Sequence, residues 1–397
     1  MNQSMKWTLA LFCILSTWTL SADPDFDKKI HDAVQPFIRD QVVTGAVTLV
    51  AHEGAIVHLE AHGMADKEAG RATQEEDLYW IASMTKPIIG AAVLILQDQG
   101  LLNIEDLLET HLTEYKDLWL LEEEKEGRRL LKRPSRAITL KDLLTHTSGV
   151  PNTPAPRAHS TLGEAVAQTS QQPLQFEPGS KWSYSNSGIN ALGRVLEVVS
   201  GMPLVEFLEQ NIFLPLGMHQ TTFFPSKKQA KRLTLPYQKN GVTGELQVTD
   251  FYFLKGNLWD TKRTVRPSGG LFSTAEDMYA FYQMMLNKGQ FRGKRILSEK
   301  AYHQLTTTQT GNIKTGFTEG MSWGLGFQVV KEPQGVTEML SKGTFGHGGA
   351  YATHSWGDPV TQTIYILMVQ RRGMPGGDGA AIRKAFQQAA IDGLSNH

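Results

Sequence analysis

Ser83-Met84-Thr85-Lys86 sets a hydroxyl and an amine three residues apart near the start of the most apolar helical segment, Trp80 to Gln99. Residues at that spacing share one helix face, so Lys86 can reach the Ser83 hydroxyl. A serine hydroxyl is a poor nucleophile until a base takes its proton. Lysine serves as that base only when burial or nearby positive charge lowers it from its ordinary value of ~10.4. Trp80, Ile81, Ile88 and Ile89 are apolar enough to do so, and no other serine in the chain is followed by lysine at this offset. One such pair is weak evidence by itself.

Two further groups supply partners. Tyr184-Ser185-Asn186 stands just before a helical pattern. A phenol beside a cationic lysine can be partly or transiently deprotonated and can pass the serine proton to a leaving group. Asn186 can orient Lys86 and bind a substrate carbonyl. Alone, the stretch reads equally as a packed loop tyrosine followed by a helix-entry asparagine. His347-Gly348-Gly349 precedes a strand that begins near Thr353. Its glycines let a backbone edge approach a ligand closely. The amide of Ala350 can then pair with that of Ser83 as an oxyanion hole, with His347 presenting a donor beside the substrate. A structural glycine turn is the plainer alternative.

The elements that hold these groups follow from the pattern of the whole chain. Its 397 residues are 41% hydrophobic and 20% charged, with a formal net charge of -1 and a sequence pI near 6.9. That balance offers no polyanion-binding surface, so no nucleic-acid partner is expected. Lys6, the uncharged run Trp7 to Leu20 and the small residues Ser21 and Ala22 read as a secretory signal over residues 1–22, giving a periplasmic or secreted product. The run is short for a membrane span, which needs about 20 residues, and no later segment is long and apolar enough to span. The only cysteine, Cys13, lies inside the signal and lacks the small neighbours of a lipid-modified cysteine. The exported chain then has no disulfide, thiol nucleophile or cysteine metal site.

Helical spacing covers Asp27 to Asp40, Ser187 to Ser200, Thr274 to Leu286 and Ala380 to Leu394. Thr139 with Asp142, Thr161 with Glu164 and Ser273 with Glu276 resemble capping boxes, and Pro203 suits a first helical turn. Strand signals cover Ala46 to Ala51 and Ile56 to Ala61, joined by a Glu53-Gly54 turn, then Leu325 to Lys331, Thr353 to Trp356 and Thr363 to Gln370. Strands at both ends and helices between them predict an α/β fold split by a helical insertion. A discontinuous sheet domain would comprise 23–106 and 262–397, a mainly helical domain 107–261, and the active site would lie at their interface. His58 and His62 share a strand face, but with no carboxylate partner at a suitable spacing they read as solvent-facing, and no metal is expected. Glu122 to Arg133 reads as a solvated charge run.

Taken together, Trp80-Ile-Ala-Ser-Met-Thr-Lys86, Leu143-Leu-Thr-His-Thr-Ser-Gly149, Pro178-Gly-Ser-Lys-Trp-Ser-Tyr-Ser-Asn-Ser-Gly188 and Phe345-Gly-His-Gly-Gly349 closely resemble class C β-lactamase-like serine hydrolases. That superfamily is shared with penicillin-recognising peptidases and several esterases. The likeness runs from roughly residue 28 to 372, with Arg266-Pro-Ser-Gly-Gly-Leu271 and Trp323-Gly-Leu-Gly-Phe327 as further landmarks. It implies a β-lactamase/transpeptidase-like fold, an antiparallel sheet flanked by helices with a helical insertion domain. It also implies Ser83 as acylated nucleophile, Lys86 as first-motif lysine and Tyr184 as proton shuttle. Asn186 completes the second motif, and His347, Gly348 and Gly349 stand for the third; no cofactor is needed. His146, within the second stretch, reads as a structural residue holding a loop.

The third motif departs from the β-lactamase pattern of Lys-Thr-Gly or Lys-Ser-Gly. His347 carries little charge near pH 7 unless its surroundings raise it, and Gly348 has no hydroxyl. The departure resembles the esterase and D-amino-acid-peptidase branches. With no deacylating glutamate of the class A kind in view, the tyrosine–lysine pair must serve both steps. The expected substrate is a small ester; a D-amino-acid peptide (D-Ala-D-Ala carboxypeptidase activity) or a β-lactam is the alternative. A non-catalytic peptidoglycan-binding sensor is the reading of a different class. Gly320-Met-Ser322-Trp-Gly324 matches a nucleophile elbow, but that motif needs a helix after its serine, and Leu325 to Val330 reads as a strand.

Overall fold

The computed structural model describes residues 24–154, 159–252, 254 and 256–395. The expected signal, residues 1–22 with Cys13, lies outside the described residues. The main elements in chain order are helix α1 (Pro24–Arg39), strands β1 (Gly45–His52), β2 (Ala55–Asp66) and β3 (Arg71–Ala72), and helix α2 (Thr85–Asp98). Helices α3 (Leu140–Leu144), α4 (Leu162–Ser170), α5 (Asn186–Ser200) and α6 (Ala275–Leu286) follow. Strands β4 (Met321–Trp323), β5 (Gln328–Val330), β6 (Phe345–Gly348), β7 (His354–Asp358) and β8 (Thr363–Val369), then helix α7 (Ala381–Leu394), complete the chain.

The eight strands form one sheet in the order β4-β5-β6-β7-β8-β1-β2-β3, and every neighbouring pair is antiparallel. This is the β-lactamase/transpeptidase-like architecture, a large antiparallel sheet with flanking helices. β1 and β8 are buried on both faces, which explains their near-continuous apolar runs. Val47, Leu49, Ile364, Ile366 and Met368 turn inward and join the core around α2 and α6. Ala46, Val50, Tyr365 and Leu367 turn outward, with Phe26, Ile30 and Val34 of α1 and Phe386 and Ala390 of α7. Each large aliphatic side chain so buried contributes roughly 1.5–3 kcal/mol. The β1–β2 turn uses positive φ at both Glu53 (49°) and Gly54 (88°), the backbone twist that suits a tight hairpin.

Several expectations need correction. The charged stretch is exposed but folds as a hairpin, Leu120–Lys125 with Arg128–Lys132. A second hairpin joins Tyr237–Lys239 to Leu246–Val248, so the region between the sheet halves is less purely helical than its pattern predicts. The capping boxes at Thr139 and Thr161 form. At α6 the cap is one residue later, where Thr274 accepts from the Asp277 amide. Pro203 stands at the N-cap position just outside the Leu204–Leu208 helix and makes no side-chain capping bond. Ser322 lies buried in the middle of β4 with its hydroxyl 3.3 Å from that of Thr310, so no elbow exists there. His58 and His62 are buried rather than solvent-facing, at 2% and 1% exposure. A carboxylate with suitable spacing was in view, because Glu60 falls between them on the same strand face.

Candidate active site

Ser83 lies in a single 3-10 turn, Ala82–Met84, that runs straight into α2. Ala82 before it has φ 45°, a left-handed backbone that costs a non-glycine residue on the order of 1 kcal/mol. Surrounding bonds hold that turn: the Ile81 amide donates to the Leu271 carbonyl at 3.0 Å and the Thr85 hydroxyl to the Ala82 carbonyl at 2.7 Å.

Lys86, one turn on, has no exposed surface. Its Nζ lies 3.0 Å from Ser83 Oγ, 2.8 Å from Asn186 Oδ1 and 2.6 Å from the Ser268 carbonyl oxygen. It also stands 4.6 Å above the centre of the Tyr184 ring. Burial holds the ammonium well below its ordinary range, since no carboxylate is among its partners. A neutral amine has two N–H groups. Donated to Asn186 and Ser268, they leave its lone pair directed at the Ser83 hydroxyl.

Tyr184 and Asn186 reach the site from the loop that enters α5. The Asn152 side chain spans that loop, donating from Nδ2 to the Tyr184 carbonyl at 2.8 Å and accepting the Asn186 amide at 2.7 Å. His146, with φ 59°, accepts the Ser185 amide on Nδ1 at 3.2 Å, and its own carbonyl accepts the Ser183 amide at 2.9 Å. Its ring packs 4.5 Å from that of Tyr184, in the structural role expected of it. Burial pushes the Tyr184 phenol upward, with the nearby Ser83 hydroxyl acting in the opposite direction. Burial thus disfavours the charged form of both groups, the ammonium and the phenolate.

His347 at the end of β6 is fully buried, and burial together with Lys86 lowers it to about 3. Its Nδ1 lies 2.6 Å from the Gly348 carbonyl oxygen, which makes Nδ1 the protonated nitrogen. Nε2 is then a bare acceptor, buried and unpartnered. The donor expected from His347 is thus spent on its own backbone. The next two glycines are required by space. A side-chain carbon at Gly348 would collide with the Asp378 carboxylate and the His354 ring; one at Gly349 would meet the Thr353 hydroxyl and the Ile81 carbonyl. The edge of β6 thus lies against the turn that carries Ser83, and Ala350 lines the same recess as Ser83.

A cleft of about 490 Å³ opens in front of these groups, walled by Tyr252, Phe317, Met374 and Asp378. Among the described residues no lysine or arginine lines it. A much smaller recess on the other side of Ser83 is bordered by Trp80, Gly269 and Arg266. Sequence reasoning missed Asn152, the Ser268 carbonyl and Asp378. Ser268 belongs to the Arg266–Leu271 landmark, so its stretch was visible although its part was not. Asp378, whose Oδ2 accepts from Gln328 Nε2 at 2.8 Å, sits in a Gly-rich loop with no pattern to single it out.

Comparison with known proteins places the chain in a family. The Beta-lactamase family model matches residues 30–390. Esterase EstB of Burkholderia gladioli is 27% identical over 383 residues, covering 88% of this chain and 92% of its own. A putative D-alanyl-D-alanine carboxypeptidase of Salmonella typhimurium is 26% identical over 409 residues, covering 94% and 90%. Among solved structures, EstCE1, described as a hydrolase with promiscuous acyltransferase activity, superposes with a TM-score of 0.78 at 22% identity, over 92% of this chain and 98% of its own. Among the described residues no helix is long and apolar enough to cross a membrane.

Proposed function

The chain belongs to the β-lactamase family and is a serine hydrolase, and from that premise we propose that it is an exported esterase-like acyl hydrolase working through a Ser83 acyl-enzyme. The observation that carries the mechanism is the clamping of Lys86 by Asn186 and Ser268, with Ser83 at its remaining position. Neutral Lys86 takes the Ser83 proton as Oγ bonds to the ester carbonyl carbon. The carbonyl oxygen gains the displaced electron pair and is received by the amides of Ser83 and Ala350. As the C–O bond to the alcohol breaks, Tyr184 gives its proton to the departing alkoxide and regains one from Lys86. Water then repeats the sequence on the acyl-enzyme, releasing the acid and restoring Ser83.

The ester assignment rests on the large cleft. Neutral His347 replaces a fixed cation, and Gly348 leaves no room for a hydroxyl. D-Amino-acid peptides are the second reading, favoured by Arg266 beside the small recess, where a terminal carboxylate could be seated. A panel of short-chain p-nitrophenyl esters, a chromogenic cephalosporin and D-Ala-D-Ala peptides tests the order. Esters should turn over fastest, and fluorophosphonate labelling should vanish in Ser83→Ala. Cephalosporin or peptide turnover above that of the esters rejects the substrate class; undiminished activity in Ser83→Ala rejects the mechanism. Export is supported by the pattern of residues 1–22, and a mature product beginning near Asp23 is the expected outcome of N-terminal sequencing.

A further inference from the structure

A second cluster of basic and acidic side chains lies on the sheet face opposite Ser83. In β1, Ala46 and Val50 pack outward toward α1, so Thr48 between them faces the same way. Thr48 pairs with Glu60 in the β1–β2 register, which puts His58, Glu60 and His62 on that face. From above, α1 contributes Asp27 and His31, four residues apart and hence on one side of the helix.

The hydrogen bonds among these residues can be traced end to end. His58 Nδ1 lies 2.6 Å from Asp27 Oδ1, so it carries the proton, and its Nε2 accepts from the Thr48 hydroxyl at 2.9 Å. Thr48 has one hydrogen, so it must accept from His62 Nε2, also 2.9 Å away. His31 Nδ1 donates to Glu60 Oε1 at 2.6 Å. Two buried acceptors then lack a hydrogen bond: His62 Nδ1, and Glu60 Oε2, which lies 3.7 Å from His62 Nε2. Unmet buried acceptors are uncommon and costly. The His31 and His62 rings stand 5.7 Å apart, and one nitrogen of each, with a Glu60 oxygen, lies within 4.8 Å of the others.

We propose that His31, Glu60 and His62 bind one divalent transition-metal ion of the zinc class, which fastens α1 to β2. Two imidazoles and a carboxylate are the donor set such ions favour, and three protein ligands leave a further position for water. Entry is open from solvent, because the side chains of His31 and Glu60 are 43% and 29% exposed. Thr48, His58 and Asp27 form the supporting hydrogen-bond chain that sets the His62 ring. The ion takes no part in hydrolysis, because α1 and the Ser83 turn lie on opposite sides of the sheet.

Titration of the chelator-treated, purified chain with Co²⁺ tests the site independently of its esterase activity. One equivalent should produce visible absorption that Zn²⁺ displaces, and Zn²⁺ should raise the thermal midpoint by a few degrees. Glu60→Gln and His31→Ala should each weaken Co²⁺ binding at least ~10-fold. His31 is half-exposed on a helix surface, so its replacement leaves the fold intact. Ser83-dependent turnover should be the same with and without metal. No stoichiometric binding, or binding unchanged in both variants, overturns the site; turnover lost on chelation overturns its separation from catalysis.

Discussion

Lys86 and His347 are both basic, both buried beside the same cleft, and both shifted toward the neutral form by that burial, yet the protein surrounds them in opposite ways. Lys86 meets a polar partner in each direction: the Ser83 hydroxyl in the turn before α2, Asn186 at the α5 entry and the Ser268 backbone. His347 spends its one proton on the neighbouring carbonyl and leaves Nε2 bare among Tyr184 and Trp323. A buried base held by polar partners on every side is aimed, and its proton has a defined path. A buried base surrounded by rings fills space and keeps charge out.

Exchanging the two residues in turn is the strongest way to break this contrast. Lys86→Met should lower kcat/KM for an ester by ~10³-fold or more, because it removes a group acting on the reacting proton. His347→Gln should cost less than ~10-fold by the same measurement. Equal losses would mean that His347 also handles protons. Next in size is the crowding behind the third motif. Gly348→Thr should destabilise the chain by about 1–3 kcal/mol in denaturant unfolding, as overpacking does. Asp378→Ala in the same chain should restore most of that loss by removing the colliding carboxylate.

The smallest and most diagnostic effect is on pH dependence. Lys86 acts in its neutral form, so kcat/KM should fall as pH drops through a midpoint well below 10.5. His347 stays neutral in the folded protein down to about 3, so it should add no inflection near pH 6.5. An inflection there that vanishes in His347→Gln would contradict its passive role. Stability moves the same way. The unfolded histidine gains a proton near 6.5 that the folded one refuses until about 3, so the stability from neutral His347 is present above 6.5 and is lost as pH falls toward 3.

Much of this was legible because periodicity and motif spacing are local. The apolar run of α2, the Glu53-Gly54 turn and the caps at Thr139 and Thr161 are each written within a few residues, as is the Ser83–Lys86 pair. What escaped the sequence depends on residues brought together from afar. Asn152 clamps a loop 34 positions downstream, and Ser268 meets Lys86 across 182. Asp378 abuts Gly348 only because the loop before α7 folds back over β6. His347 illustrates the same limit, since its residue type suggested a donor whereas its tautomer is decided by one short contact to the backbone.

The strand order has a consequence for how the chain acquires its shape. β1 near one end is hydrogen-bonded to β8 near the other, in a register that runs from Ala46 with Val369 to His52 with Thr363. The two lie inside the sheet, so neither half can seal its edge until the other arrives. Loop closure on that scale is slow compared with forming a hairpin or a helix. The nascent chain therefore spends its synthesis with the β1–β2 ribbon waiting, its free edge open to wrong partners. A protein whose first and last long strands complete each other cannot close its sheet until both have been made.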